Sequence, residues 1–383
     1  MTAAQSALET VKRLIAFDTT SRNSNLALIE YAGHALETLG ARVRLTHDDN
    51  GGKANLFATL GPDRDGGYVL SGHTDVVPVD GQNWSSDPFS ADLRDDRLYG
   101  RGACDMKGFV GTALALAPEF AKLDLKRPIH FAFSFDEEVG CVGVRRLLDD
   151  LRSASIMPAL AIIGEPTEMR VVGAHKAGAV IETRAHGLEG HSSDPRRGAN
   201  AVMMAAEFVA ALAQIGEELA RDRDEHFDPP YTTVQANMFS GGTAVNVLAR
   251  EAKVTWEYRA LPDRDTAAIM AAANTRAESI VPRYREGAPD ARFETRIRAA
   301  YPGLRRDTKS PAVQLACALT GNNQVEAISY GTEAGLFQAA GIPAVVCGPG
   351  SIQQAHRADE FVALSELDAC AAFLRRVAQR AAE

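Results

Sequence analysis

Apolar positions along this chain follow two periods that alternate. Leu8, Val11, Leu14 and Ile15 fall on one helical face near the start, and a second helical pattern covers residues 27–39. Compact apolar runs then predict strands at 41–46, 55–60 and 68–72. A helix over 108–120, a strand over 128–135, a helix over 143–152 and a buried strand over 160–164 continue the alternation. Alternation of this kind predicts a layered α/β domain whose sheet is mixed and largely parallel. In the middle of the chain the pattern changes. A strand at 179–186, a long helix at 200–221, strands at 232–239 and 251–261, a helix at 263–284 started by Pro262 and Asp263, and a strand at 291–298 follow one another. That β-α-β-β-α-β order is the one found in ferredoxin-like α+β units. Helix–strand alternation resumes over 311–320, 324–329, 334–340 and 344–347 and closes with a helix from residue 365. The expected architecture is an α/β domain, residues 1–173 and 299–383, interrupted by an α+β insertion at 174–298.

Composition narrows the class without altering that picture. A chain of 383 residues exceeds one ordinary core, in keeping with two domains. With 45% hydrophobic and 24% charged residues it reads as soluble and globular. A net charge of −9, with no Lys/Arg stripe, argues against nucleic acid as a partner. The longest apolar stretch, A-V-M-M-A-A-E-F-V-A-A-L-A-Q-I, is broken by Glu207 and too short to span a membrane. The first helix lacks the basic start and unbroken apolar segment of a secretory signal. The five cysteines are odd in number, scattered and free of C-x-x-C pairs, so neither a disulfide framework nor a cysteine zinc site is expected, and a cytoplasmic setting is.

Candidate chemistry gathers at strand ends. The run Y-V-L-S-G-H-T-D-V-V-P delivers His73 and Asp75, and R-G-A-C-D-M-K-G places Asp105 in a glycine-rich turn before a helix. Asp136, Glu137 and Glu138 follow the apolar run I-H-F-A-F-S-F, and Glu165 follows L-A-I-I-G. Each has an ordinary explanation: a hydrogen-bonded structural histidine, a turn or N-cap aspartate, an acidic surface turn, a loop glutamate. Repetition at every strand end instead favours one crevice beyond the carboxyl edge of the sheet, where open α/β sheets bind ligands. Imidazole with several carboxylates and no thiolate suits a hard or borderline divalent cation, zinc foremost, with cobalt or manganese as substitutes. The carboxylates outnumber what one catalytic zinc takes, and two ions sharing a bridging carboxylate account for the surplus. Cations also offset the repulsion within D-E-E.

The motifs G-H-T-D-V-V-P, G-R-G-A-C-D-M-K-G, D-E-E-V-G, G-E-P-T and G-H-S-S resemble, in order and over nearly the whole chain, those of the M20 family of di-zinc amidohydrolases and peptidases. The resemblance implies a three-layer catalytic domain, a lid or dimerisation role for the insertion, a homodimer and zinc-dependent amide hydrolysis. Position by position it implies that His73 and Glu165 hold one zinc, that Glu138 and His356 hold the other, and that Asp105 bridges them. Asp75 would orient His73 by a hydrogen bond, and Glu137 would be the general base. His191, in G-H-S-S, would reach the partner subunit's site and serve catalysis; its ordinary reading is a polar loop residue. Arg259, in W-E-Y-R-A-L-P, would bind a substrate carboxylate, or else be a sheet-surface arginine. Asn246 and Thr332 are further substrate contacts, and Glu333 would face a substrate ammonium or form a structural ion pair. Asp136 receives no role beyond a structural or supporting acid. The segments G-T-E-A-G-L-F-Q, A-H-K-A-G and G-P-G-S-I-Q-Q-A-H-R-A-D-E-F resemble the branch of the family that hydrolyses N2-acetyl-L-ornithine for arginine biosynthesis. Other N-acyl amino acids, succinyl-diaminopimelate, dipeptides and an inactive binding module stay open at this level.

Overall fold

The amphipathic start of the chain forms a helix, Ala3–Ile15, whose Val11, Leu14 and Ile15 are fully buried. The computed structural model describes the backbone from residue 3 and side chains from residue 7, so the first two residues of the expected helix lie outside the described residues. The chain divides into two compact units. The first runs to Ala174 and adds Leu304–Ala327 and Thr332–Glu383; the second comprises His175–Gly303 and Ile328–Gly331.

The first unit is built on an eight-stranded sheet. Its strands lie in the order Arg42–His47, Ala54–Leu60, Ile129–Ser134, Tyr68–His73, Leu160–Pro166, Ala344–Gly348, Val172–His175 and Glu326–Ile328. Four central strands, beginning at Ile129, Tyr68, Leu160 and Ala344, run parallel, and the Arg42 and Ala54 strands pair antiparallel outside them. The central strands are buried along their whole length, which is why they read as unbroken apolar runs rather than alternating ones. The helix Lys107–Phe120 packs between Ala3–Ile15 and Leu364–Ala382. It also lies on the sheet, where Phe109 covers Gly164 so closely that a Cβ there would come within 1.9 Å of the ring. Phe109, Phe120, Phe131 and Phe133 form the centre of this core, each at 1% exposure or less, and burying one such ring contributes about 2–3 kcal/mol.

A three-stranded sheet, Phe361–Ala363, Arg97–Tyr99 and Asp92–Arg94, is an addition that the periodicity does not predict. Its hairpin turns on Asp95 and Asp96, with φ of 51° and 54°, a left-handed pair that aspartate tolerates. Strands of three residues are too short to show a period.

The second unit folds in the expected β-α-β-β-α-β order. Its antiparallel sheet runs Thr233–Gly241, Glu251–Ala260, Ala177–His186, Arg292–Tyr301, the ferredoxin-like arrangement. Alternate residues of Glu251–Ala260 are buried, including Trp256 and Tyr258, beneath the helices Ala201–Leu219 and Thr266–Ile280. Those helices start at side-chain caps: Asn200 accepts from the Val202 amide at 3.0 Å and Asp265 from the Ala267 amide at 2.9 Å. The second helix therefore begins after Asp265, not at Pro262 and Asp263. It stops at Ile280 because Pro282 tightens the chain into a 3-10 turn, Val281–Arg283.

Candidate metal centre

The carboxyl ends of three parallel strands present acidic and imidazole groups together. His73 closes Tyr68–His73 and is 1% exposed; Glu165 lies in Leu160–Pro166 and is 4% exposed. Glu137 and Glu138 follow Ile129–Ser134 after one turn. Asp105 arrives from the loop between Arg97–Tyr99 and Lys107–Phe120, and His356 from the segment before Phe361–Ala363.

Distances define how these groups meet. His73 Nε2 lies 3.0 Å from Asp105 Oδ1 and 3.7 Å from Glu165 Oε1. His356 Nε2 lies 3.3 Å from Asp105 Oδ2 and 3.0 Å from Glu138 Oε2. Each oxygen of Asp105 therefore faces a different imidazole. The donor atoms of His73, Asp105 and Glu138, and those of His73, Glu137 and Glu165, lie within 4.8 Å of one another. His73 Nδ1 donates to the Asp75 carbonyl at 2.9 Å, which turns Nε2 toward the acids.

The Asp75 carboxylate differs from expectation. It stands 3.7 Å from His73 Nδ1, so the hydrogen bond that orients the ring comes from the Asp75 backbone. Its oxygens instead accept the amides of Glu137 at 3.0 Å and Glu138 at 3.2 Å, and the Ser21 hydroxyl at 2.7 Å. Two consecutive N–H groups in a tight turn need an acceptor, and a carboxylate with two oxygens takes both. Asp136, with φ of 54°, turns away and pairs with Lys53 Nζ at 2.5 Å, which gives the unassigned acid a structural partner. The Cys141 thiol donates to Glu137 Oε1 at 3.3 Å. Ser21 and Lys53 carry no local sequence signal, because each meets these acids only through the fold, whereas Cys141 reaches Glu137 from four residues along the same segment.

Proton affinities follow from this crowding. Burial raises the carboxyls of Glu137, Glu138 and Glu165 above their ordinary values, and neighbouring carboxylates push them further up. Burial opposes charge on Asp105 too, but hydrogen bonds from His356 and His73 outweigh it and hold the carboxyl below its usual range. Hydrogen bonds to Asp105 and Glu138 push His356 up to about 10. His73 is also raised, its burial being outweighed by Asp105 and Glu165. Four clustered carboxylates exceed what two imidazolium groups can neutralise. A hard or borderline divalent cation fits this donor set of nitrogen and oxygen without thiolate.

The remaining candidates are placed as follows. Glu333 is 1% exposed in the first unit and accepts the hydroxyls of Ser134 at 2.5 Å and Ser71 at 3.4 Å. Burial raises its pKa to about 7. Thr332 is fully buried, and its Oγ1 accepts the Ala334 amide at 3.0 Å, fixing the start of the helix Ala334–Ala339. His191, Asn246 and Arg259 belong to the second unit. The exposed His191 accepts the Ser193 amide on Nδ1 at 3.2 Å, which leaves Nε2 as its donor nitrogen. The Ser192 amide donates to the Asn246 carbonyl at 3.1 Å, tying the two loops together. Arg259, on Glu251–Ala260, donates to Glu257 at 3.0 Å and to the Tyr301 hydroxyl. Sequence reasoning missed a further buried acid, Glu360, whose carboxylate holds the loop that carries Asp105. Its only sequence signal is its place in A-D-E, just before a strand.

Comparison with known proteins identifies the family of the chain. The model of peptidase family M20/M25/M40 matches residues 69–380. The acetylornithine deacetylase of Myxococcus xanthus is 36% identical over 375 residues, covering 96% of this chain and 95% of that protein. A tripeptidase from Staphylococcus aureus superposes with a TM-score of 0.76 at 20% identity, covering 99% of this chain and 98% of that one. A dinuclear metal binding peptidase of the M20 family from Bacillus subtilis does so with a TM-score of 0.67 at 16% identity, covering 98% and 97%.

Proposed function

The chain belongs to peptidase family M20/M25/M40, and from that membership we propose that it hydrolyses N2-acetyl-L-ornithine to L-ornithine and acetate, a step of arginine biosynthesis. The observation that carries the reading is the pair of Asp105 oxygens, each turned to its own imidazole. His73 and Glu165 would hold one divalent cation, Glu138 and His356 a second, with Asp105 shared; zinc suits the set best, and cobalt or manganese can replace it. Bound there, the cations acidify water and polarise an amide carbonyl.

The chain's own groups account for the remaining steps. Glu137 is the general base: Cys141 holds its Oε1, and Oε2 takes the proton of the attacking water and later delivers it to the departing amine. Asp75 keeps both glutamates in register through their amides. His191, with Nε2 as its donor nitrogen, is assigned to stabilising the oxyanion. Arg259 and Asn246 are assigned to the substrate carboxylate, and Thr332 to a supporting contact. Glu333 is the negative group assigned to the δ-ammonium. We assign the second unit the lid and dimerisation role; its sheet ends in the exposed strand Thr233–Gly241, with Met238 64% and Phe239 49% exposed, which supports a homodimer. The cytoplasm is the proposed location. Among the described residues no helix is long and apolar enough to cross a membrane.

The test is a substrate panel on the zinc-loaded protein: N2-acetyl-L-ornithine, acetylnorleucine, succinyl-diaminopimelate and a dipeptide. The highest kcat/KM is expected for acetylornithine, with Glu333→Gln lowering its advantage over acetylnorleucine. A higher kcat/KM on the dipeptide or the succinyl compound, or no turnover at all, overturns the reading.

A further inference from the structure

The loop that presents Asp105 is held by a second acid that touches none of the proposed metal ligands through its own side-chain ion pairs. Phe361 pairs opposite Tyr99 in the three-stranded sheet, so the residue before Phe361 lies beside the residues after Tyr99. The Gly100 amide accordingly donates to the Glu360 carbonyl at 2.9 Å. From that anchor the Glu360 side chain turns under the loop and is 1% exposed. Its Oε1 accepts the amides of Cys104 at 2.8 Å and Asp105 at 3.0 Å. Its Oε2 accepts the Gly102 amide at 3.1 Å and Arg101 Nη1 at 2.7 Å. Both oxygens are therefore used twice, and three of the four donors are peptide N–H groups of the Asp105 loop.

The other half of the pair faces the loop of His356. Arg101 Nη1 donates to the Arg357 carbonyl at 3.3 Å and Nη2 to Gln82 Oε1 at 2.6 Å. Gln82 Nε2 in turn donates to the His356 carbonyl at 3.0 Å. The guanidinium lies 5.0 Å from the Trp84 ring, whose Nε1 also donates to Gln82. One network thus fixes the backbones of Asp105 and His356. A buried ion pair is weak evidence of a contribution to stability, because desolvating two charges offsets their attraction. Here Arg101 Nε is also buried without a partner among the described residues, which adds a further cost. Such a pair is better explained by what it positions.

We infer that Glu360, clamped by Arg101, is a positioning residue that sets the Asp105 carboxylate and the His356 imidazole at the spacing needed to share two divalent cations. The inference rests on the assignment of Asp105 and His356 as metal ligands. Glu360→Gln keeps the shape of the side chain but turns one double acceptor into a donor facing N–H groups. The test uses full-length protein stripped with a chelator and titrated with cobalt(II) chloride. Visible bands report ligand geometry, and competition with a chromophoric chelator reports affinity. Removal of a partner that orients metal ligands weakens binding by about 10–100-fold, and Glu360→Gln is expected to do so and to shift the bands. Glu119→Gln removes the carboxylate of a half-exposed ion pair, with Arg375, on the Lys107–Phe120 helix away from the Asp105 loop and serves as control. It is expected to lower the melting temperature without changing the bands. A folded Glu360→Gln protein with wild-type bands and affinity overturns the inference. Wild-type protein that takes up no cobalt overturns the ligand assignment and the inference with it. If Glu360→Gln does not fold, the half-buried Gln82→Ala variant decides: weakened cobalt binding with altered bands supports the network, and unchanged binding overturns it.

Discussion

Glu137 and Glu138 stand side by side in sequence, and one residue, Asp75, separates their tasks. Each Asp75 oxygen takes one of the two amides, at 3.0 and 3.2 Å, so the turn is fixed with both carboxylates near His73, Glu137 beside Glu165 and Glu138 beside Asp105. Glu137→Gln is expected to keep its metal while kcat falls about 10²–10⁴-fold, the range for a lost general base. Glu138→Ala is expected to lose metal; elemental analysis beside acetate release checks both. A second expectation follows from proton affinity. Glu138, Glu165, His73 and His356 all bind protons more tightly than usual in the protein alone. Cations must displace those protons, so metal uptake is expected to release protons and to strengthen as pH rises. Calorimetry in buffers of different ionisation enthalpy measures the release, and uptake without it counts against this donor set. His73, Asp105, Glu138 and Glu165 were legible because each is a polar group directly after an apolar run or a glycine turn. His356 has no such context, and only the family resemblance reached it. Two partners of the acids, Ser21 and Lys53, were invisible because loops distant in sequence bring them up.

At the level of single elements, the central strands carry two features with measurable consequences. His130 lies within Ile129–Ser134, stacked on Phe57 at 5.0 Å, and its Nε2 donates to the Gly66 carbonyl at 2.9 Å. Burial lowers its pKa from 6.5 to about 4. The unfolded chain therefore binds a proton that the folded one refuses, and stability present above pH 6.5 is lost as pH falls through 4. Between neutral pH and about pH 4.5 this one ring removes about 2 kcal/mol. His130→Gln is expected to flatten the acid limb of urea-unfolding stability by that amount, and an unchanged slope contradicts it. Gly164 is the other feature. An added methyl there meets the Phe109 ring, so Gly164→Ala is expected to cost about 1–3 kcal/mol and to weaken metal binding by displacing Glu165. Thermal melts with metal titration test both effects together. The helices and long strands were legible from periodicity, with ends displaced by a few residues where caps such as Asp265 decide. The three-stranded sheet was not, because a three-residue strand gives no period and its aspartate hairpin resembles any acidic turn.

On the scale of the whole molecule, the change from α/β alternation to β-α-β-β-α-β marked the insertion because the order of the elements changes there. What it could not mark is where the chain crosses. The structure returns Ile328–Gly331 to the second unit after the first has resumed, a short excursion without a compositional cue. The proposed homodimer is testable at the sheet edge. Met238→Lys with Phe239→Glu is expected to yield monomers in sedimentation while the protein keeps its metal, and an unchanged dimer moves the interface elsewhere.

The interrupted layout also sets an order of assembly as the chain is made. Domains form during synthesis from the amino end, and His73, Asp105, Glu138 and Glu165 all precede the inserted unit, whereas His356 and Glu360 follow it. A growing chain therefore carries the acidic half of the centre through the whole of the insertion's synthesis with its second imidazole still missing. The last proposed ligand and the acid that accepts the amides of the Asp105 loop then emerge four residues apart. Completion of the proposed centre thus waits for the C-terminal part of the chain.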